Sequence, residues 1–256
     1  MSPRTLLVVG LYSPDPQSGK STACKALARI TDLEVIKISG AMKAMCGAAI
    51  APFVDPASME DWIEGKHKDA VVPGLTVDAC ITPDVVQALM DASLETGTDA
   101  DALPFLDAQG AAITRARLLD DMATTWKASL QRFWDANGGL TPRDLQKTIG
   151  LEWGRALYGT GFWIQGVEAK LDRVQAPLAL VDDVRFPDDA DLIERRDGLL
   201  VRVWRPQADK PDSHASEGLL ENRDFAVRLD NISDLDTYVA LVEERLVPLV
   251  RDRLAR

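Results

Sequence analysis

The chain has 256 residues, of which 46% are hydrophobic and 27% charged, a length and composition that suit one α/β domain or a core domain with an insertion. Its net charge of −11 argues against a polymeric nucleic-acid partner, and no apolar run approaches the roughly 20 residues of a membrane span. Three cysteines, Cys24, Cys46 and Cys80, form no C-x-x-C pair, so we expect reduced thiols in a cytoplasmic protein rather than disulfides or structural zinc.

The first predicted elements alternate between strand and helix. The short apolar run TLLVVG predicts a strand buried in a parallel sheet rather than a signal peptide. KSTACKALARI then has helical spacing, LEVIKIS predicts a second strand, and GAMKAMCGAAI predicts a second helix. This order predicts a parallel sheet with crossover helices.

The middle of the chain is less regular. SMEDWIEGKHKD predicts a short helix, a second helix begins at Thr82 and Pro83, and ITRARLLDDMATTWKASLQRFWDANGG predicts a long amphipathic helix closed by glycine. Four large residues of this long helix form an apolar stripe that predicts core packing rather than a ligand site: Trp126, Leu130, Phe133 and Trp134.

Regular elements return after residue 140. TPRDLQKTIGLEWGRALYG begins with a Thr–Pro helix start, FWIQGVEAKLDRV predicts another helix, and APLALVDDVRF contains a buried strand that ends in two aspartates. A helix FPDDADLIERRDG, two strands GLLVRVWRP and FAVRLDN, and a closing helix SDLDTYVALVEERLVPLVRDRL complete the predicted order.

The segment SGKST, residues 18–22, lies between the first predicted strand and helix, where a phosphate-binding loop is expected. Backbone N–H groups and the helix N-terminus attract phosphate there, Lys20 would reach the β- and γ-phosphates, and Ser21 would bind Mg²⁺. The pattern G-x-x-x-x-G-K-[ST] requires a glycine at position 14, but Pro14 stands there and the nearest glycine is Gly10. We therefore predict a phosphate loop with an enlarged first half; the alternative is a polar loop ahead of a helix.

Two later segments carry further charged candidates. Asp183 follows a buried strand and would point into the ligand crevice as a Mg²⁺ ligand, and Arg185 would bind phosphate; the alternative is a helix cap and a surface ion pair. Arg205, Lys210 and His214 lie in a proline-rich segment that is typical of a basic flap, or of an ordinary solvated loop.

The helix TPRDLQKTIGLEWGR carries Arg143, Gln146, Glu152 and Arg155 at helical intervals. One arginine for a phosphate and one amide for a base edge would form a substrate pocket. An exposed amphipathic helix is the alternative interpretation.

Together these segments resemble the bacteriophage deoxynucleoside monophosphate kinases, in the P-loop nucleoside monophosphate kinase fold. The resemblance rests, in chain order, on SGKST, ISGAMKAM, TPRDLQKTIGLEWGR, VDDVRFPDDA, and VWRP…DSHASEGL followed by RLDN. Metazoan phosphomevalonate kinases are similar more distantly, in ISGAMK, VDDVR and the SHASE segment. The helix TPRDLQKTIG has no evident counterpart in them.

The resemblance implies a three-layer α/β fold with a mostly parallel sheet, and transfer of phosphate from ATP to a deoxynucleoside monophosphate (dNMP), giving dNDP and ADP for phage DNA precursor supply. It implies ATP binding by Ser18, Gly19, Lys20, Ser21 and Thr22, with Asn231 near the adenine, and Mg²⁺ binding by Ser21 and Asp183. Catalytic residues would be Lys20, Asp183, Arg185 and Arg205. The acceptor would be bound by Ser39, Gly40, Lys43, Arg143, Gln146, Glu152 and Arg155.

The resemblance also implies a kinase core at 1–75 and 140–256, a lid at about 205–219, and a helical insertion at 76–139. The insertion would cover the acceptor pocket, form an oligomer interface or decorate the surface. Two other functions stay open: a kinase for another small phosphorylated acceptor, such as a phosphomevalonate-like one, and a non-catalytic nucleotide-binding interaction module. Expected partners are small molecules, with no membrane; monomer and homodimer both fit the sequence.

Overall fold

The computed structural model describes residues 6–14, 18–93, 105–206 and 218–256. These ranges contain five strands: β1 (Leu7–Tyr12), β2 (Leu33–Ile36), β3 (Leu178–Val184), β4 (Leu199–Trp204) and β5 (Val227–Asp230). Every pair is parallel and the order across the sheet is β2-β3-β1-β4-β5. The predicted α/β class is confirmed, and the sheet that we expected to be mostly parallel is parallel throughout the described strands.

The helices of the described ranges are, in chain order, α1 (Lys20–Ala28), α2 (Gly40–Ile50), α3 (Met59–Ile63), α4 (Val77–Cys80), α5 (Pro83–Ser93), α6 (Arg115–Asp121), α7 (Lys127–Asn137), α8 (Pro142–Lys147), α9 (Ala156–Tyr158), α10 (Phe162–Leu171), α11 (Pro187–Arg195), α12 (Leu235–Arg245) and α13 (Val247–Leu254). Short 3₁₀ turns occupy Ala51–Phe53 and Pro56–Ser58, and π-helical turns occupy Met122–Trp126 and Thr148–Arg155. None of these helices is both long enough and apolar enough to cross a bilayer.

Three predicted helices are subdivided in the structure. The helix predicted after Thr141 is divided into α8, the π-helical turn Thr148–Arg155 and α9. The long helix predicted before Gly138 begins at Arg115 and passes through the π-helical turn Met122–Trp126. The predicted closing helix is α12 followed by α13, with Leu246 at the junction and Pro248 in the first turn of α13. Proline has no N–H to donate to the preceding turn, which explains a break at this point.

The chain divides into two compact units. The first unit comprises Met1–Ile38 and Leu171–Arg256 and contains the whole described sheet; the second comprises Ser39–Lys170 and is mainly helical. The predicted insertion at 76–139 lies within the second unit, together with segments that we had assigned to the kinase core.

Helices cover both faces of the sheet in the first unit. On one face, apolar side chains of α1, α12 and α13 pack with those of the strands in a buried core that includes Leu27, Leu180 and Val242. On the other face α11 packs on β1 and β4. A Cβ at Gly10 would lie 2.6 Å from Ile193 Cγ1 of α11, so this close approach of helix and strand requires glycine.

The core of the second unit is built from helices and aromatic side chains. Helix α2 packs on α5 and α8. Trp126 and Leu130, from the predicted apolar stripe, are fully buried, whereas Phe133 and Trp134 are half-buried. The indole N–H of Trp126 donates to Thr148 Oγ1 at 2.8 Å, which satisfies a polar atom in this core.

Candidate functional site

The sheet order determines where a ligand crevice opens in the first unit. The connection that leaves β1 leads to the β2 edge, and the connection that leaves β4 leads to the β5 edge. In an open parallel sheet, the crevice lies at the carboxyl ends of neighbouring strands whose connections diverge in this way. The segment that follows β1 therefore lies at the ligand-binding edge, and this segment contains the predicted phosphate loop.

The prediction of an enlarged loop is wrong. Gly10 is inside β1, paired with Val181 and Leu200, and the connection to α1 begins only at Ser13. The first glycine of the phosphate-loop pattern would fall at position 14, one residue further on. The loop therefore has the ordinary spacing, and its departure from the pattern is that Pro14 replaces a glycine and removes one backbone N–H donor.

Gly19 adopts the left-handed conformation directly before α1, with φ 110° and ψ 11°. A Cβ here would approach Tyr238 Cε1 to 2.7 Å and Asn231 Nδ2 to 2.8 Å. Both the backbone angles and the surrounding side chains therefore require glycine at this position.

Two buried side chains hold the end of the loop. Asn231 Nδ2 donates to the Ser18 carbonyl oxygen at 2.9 Å, and the Tyr238 hydroxyl donates to the Gly19 carbonyl oxygen at 3.3 Å. Burial raises the pKa of Tyr238 to about 12, so its hydroxyl remains a neutral donor at physiological pH. Asn231 was predicted near the adenine; that role stays a prediction, and its side chain holds the end of the predicted phosphate loop. Tyr238 was missed because nothing in the sequence of α12 marks it.

The N-terminus of α1 offers positive potential. Lys20 is its first residue, Ser21 is exposed, and the first turn contains no acidic side chain. Ser18 is 1% exposed, and its Oγ has no hydrogen-bond partner among the described residues. Free N–H groups at a helix N-terminus bind anions, and an orphaned hydroxyl beside them adds a further donor for a phosphate.

The two aspartates at the end of β3 have different surroundings. Asp183 Oδ1 accepts a hydrogen bond from Ile38 N at 2.8 Å and so joins the end of β2 to β3. The register between β1 and β3 shifts between Gly10 and Tyr12, so β3 is irregular at Asp182 and Asp183 and strict alternation does not hold there. Burial raises the pKa of Cys24, on α1, and the nearby charge of Asp182 raises it further.

These oxygens suit magnesium. The Ser21 hydroxyl and aspartate carboxylates are hard ligands, and magnesium in nucleotide sites usually takes one or two protein ligands beside phosphates and water. Within the described ranges no group of three or more His, Cys, Asp or Glu side chains is arranged to hold a metal. The assignment of Asp183 stays a prediction, and Asp182 is a candidate that the sequence did not single out.

The predicted transfer-site arginines are exposed. Arg185 precedes α11, and its backbone N donates to Asp189 Oδ2 at 2.8 Å, as does Phe186 N at 2.9 Å. Arg205 is exposed just after β4. Most of the predicted lid, including Lys210 and His214, lies outside the described residues.

A buried tyrosine ties the segment after the predicted lid to the end of β1. The Tyr12 hydroxyl donates to Glu221 Oε1 at 3.2 Å, and Arg202 of β4 pairs with Glu221 at 2.9 Å. Tyr12 also stacks on Phe225, with ring centroids 5.7 Å apart. Burial and the neighbouring Glu221 raise the pKa of Tyr12 to about 12. Sequence reasoning missed this cluster, because its members come from three separate elements.

The predicted acceptor residues lie in the second unit, and three of them contact one segment. Lys43 Nζ lies 3.0 Å from Glu64 Oε1, Arg143 forms a two-pronged ion pair with Asp69, and Gln146 Nε2 donates to the Ile63 carbonyl oxygen at 2.8 Å. The other predicted residues lie elsewhere: Ser39 and Gly40 begin α2, Glu152 pairs with Arg132, and Arg155 is half-buried at the end of the π-helical turn.

No protein-family model matches this chain, and no curated protein is significantly similar to it.

Proposed function

We propose that the chain is an ATP-dependent kinase that converts a deoxynucleoside monophosphate to the diphosphate. The observation that carries this proposal is the end of the phosphate loop: a left-handed Gly19 held by Asn231 and Tyr238, directly before Lys20 and the N-terminus of α1. Such a fixed set of backbone donors, with a lysine at its first position, suits the β- and γ-phosphates of a nucleoside triphosphate.

The chemistry of phosphoryl transfer fits the residues at this edge of the sheet. The reaction needs positioned positive charge rather than a covalent intermediate, and Lys20 supplies a cation at the helix N-terminus. Magnesium bound with ATP would supply further positive charge, held by Ser21 and by an aspartate of β3. An acceptor phosphate is already ionised at neutral pH, so no strong general base is required.

The acceptor class rests on the resemblance and on the second unit. The residues that the resemblance assigns to the acceptor include Lys43, Arg143 and Gln146, and all three contact the segment that contains Ile63, Glu64 and Asp69. Two cations and an amide from α2 and α8 thus meet at one short segment, a combination that suits a small phosphorylated molecule.

The test is a coupled ADP-release assay on the full chain with ATP and Mg²⁺. Each of dAMP, dGMP, dCMP, dTMP and dUMP is supplied separately, beside an acceptor-free control, and chromatography identifies the dNDP product. We expect dNDP from at least one of the five. ATP binding without dNDP from any of them would overturn the proposal, and would favour another phosphorylated acceptor or a non-catalytic nucleotide-binding module.

A further inference from the structure

A short segment of the second unit, residues 61–69, collects polar contacts from two helices. Lys43 of α2 reaches Glu64, whereas Arg143 and Gln146 of α8 reach Asp69 and the Ile63 carbonyl oxygen. Residues 61–69 are called the acceptor segment. The sequence of this segment predicted a short helix and no function.

Backbone hydrogen bonds fix the conformation of the acceptor segment. Arg143 N donates to the Lys68 carbonyl oxygen at 2.9 Å, and Val72 N donates to the Leu140 carbonyl oxygen at 2.9 Å just beyond the segment. Within it, His67 N donates to the Asp61 carbonyl oxygen at 3.0 Å and closes a turn. Side chains on this turn are therefore presented on a defined scaffold, which lowers the entropy cost of binding a ligand.

The turn brings two half-buried rings together. The centroids of Trp62 and His67 are 5.0 Å apart, and their planes are inclined by 29°, which is a stacked arrangement. An indole braced by a second ring and still open to solvent provides a flat surface. Stacking on such a surface binds nucleobases of any sequence, because every base has a π-face.

The two cations that contact the acceptor segment are held by carboxylates that solvent reaches. The side chains of Arg143 and Asp69 are 45% and 57% exposed, and those of Lys43 and Glu64 are 22% and 39% exposed. Hydrogen bonding from Arg143 lowers the pKa of Asp69, so this carboxylate is ionised at neutral pH. Ion pairs this exposed contribute little to the stability of the fold. Arginine can bind a phosphate through two parallel hydrogen bonds, as it binds a carboxylate. A phosphate dianion can therefore displace the carboxylates at small cost.

We propose that Trp62, braced by His67, stacks on the base of the acceptor nucleotide, and that Arg143 and Lys43 exchange Asp69 and Glu64 for its phosphate. The inference rests on the proposed function and deepens it. It identifies the acceptor as a molecule with both an aromatic ring and a phosphate, and it assigns Asp69 and Glu64 as carboxylates that compete with the substrate.

The base-stacking part is tested by Trp62→Leu and Trp62→Phe in the full chain. For the dNMP with the highest turnover, we expect Trp62→Leu to raise KM at least tenfold while KM for ATP changes less than twofold. Trp62→Phe keeps an aromatic face and should stay within threefold of the wild type. The matched control is Lys66→Ala, which removes an exposed cation of the same segment that pairs with Asp61, and should stay within twofold.

The phosphate part is tested by Asp69→Asn, which keeps the shape of the side chain and removes its charge. If Asp69 competes with the substrate, this variant should bind dNMP several-fold more tightly, and inorganic phosphate should inhibit it more strongly. A purely structural ion pair would give unchanged or weaker binding. Unchanged or weaker dNMP binding by Asp69→Asn, with normal folding by circular dichroism, overturns the exchange of carboxylate for phosphate.

Equilibrium binding of each dNMP, measured by calorimetry without ATP, separates failure of this inference from failure of the proposed function. If wild type binds a dNMP and Trp62→Leu weakens that binding, the inference holds even where no dNDP forms. If dNDP forms but Trp62→Leu changes neither binding nor KM, the inference is overturned and the kinase stands. If no dNMP binds or reacts, both are overturned.

Discussion

The loop end before α1 and the acceptor segment are both held by side-chain hydrogen bonds, but of opposite character. Before α1 the bonds come from neutral, buried groups: Asn231 is 8% exposed and Tyr238 is 1% exposed. In the acceptor segment the contacts of Lys43 and Arg143 are ion pairs that solvent reaches. Neutral bonds in a buried setting resist exchange, whereas exposed ion pairs exchange readily.

This difference predicts how each region would bind a phosphorylated ligand. If the loop end binds phosphate as proposed, its donors need no rearrangement, because Asn231 and Tyr238 already fix this part of the backbone. The backbone of the acceptor segment is also fixed before binding. Under the proposal, only the ion-pair partners of Lys43 and Arg143 change when the acceptor binds. Under the proposed function, the donor nucleotide would meet a fixed site and the acceptor an exchangeable one.

The largest expected effect comes from Lys20→Ala. Removing the cation at the start of α1 should lower kcat/KM for phosphoryl transfer by roughly 10²–10³-fold or more, because charge on the transferred phosphoryl group loses its stabilisation. The matched control, Lys25→Ala, removes an exposed lysine from the same helix and should keep normal activity. Transfer at the wild-type rate by folded Lys20→Ala would remove the phosphate-loop assignment.

A smaller effect is expected from Asn231→Ala, which leaves the Ser18 carbonyl oxygen without this donor. The free energy of unfolding, measured with urea, should fall by about 1–3 kcal/mol, and KM for ATP should rise more than KM for the acceptor. Asn222→Ala, at an exposed position, serves as the control. Equal rises in both KM values would show that the loop end has no particular role in holding the donor.

The smallest effect is expected from Asp69→Asn on stability. Because the pair with Arg143 is exposed, its loss should change the free energy of unfolding by less than about 1 kcal/mol. Glu243→Gln, which breaks the exposed pair with Arg29 in the first unit, is the comparison and should behave alike. A loss well above that of Glu243→Gln would mean that the acceptor segment depends on this charge, and would remove the contrast between the two regions.

Much of the sheet could be predicted from sequence because its central strands are continuous apolar runs. β1 is buried along its whole length, and β3 and β4 are continuously buried over their first residues, Leu178–Val181 and Leu199–Val201. The strand order could not be predicted, since apolar runs do not specify their neighbours. Gly10 was misassigned for a related reason: its requirement for glycine comes from Ile193, which lies far away in the sequence.

The part of the candidate site that could be predicted consists of residues adjacent in the sequence. Gly19, Lys20 and Ser21 follow one another in the chain, so their pattern is visible without a structure. Which of Asp182 and Asp183 lies on the α1 side of β3 depends on how the strand packs, and the sequence does not contain that information directly. The partners of Lys43 and Arg143 were invisible because they lie in a segment whose own pattern indicates only a short helix.

The position of the second unit in the chain has a consequence for synthesis on the ribosome. β2 pairs only with β3 among the described strands, and β1 pairs only with β3 and β4. Both early strands therefore leave the ribosome before the strands that pair with them. They stay unpaired until the chain from residue 178 onward has been made. All of Ser39–Lys170 is complete by then, so the helical unit can fold first. A nascent chain that stops before β3 would expose two apolar strands, the usual substrate of chaperones.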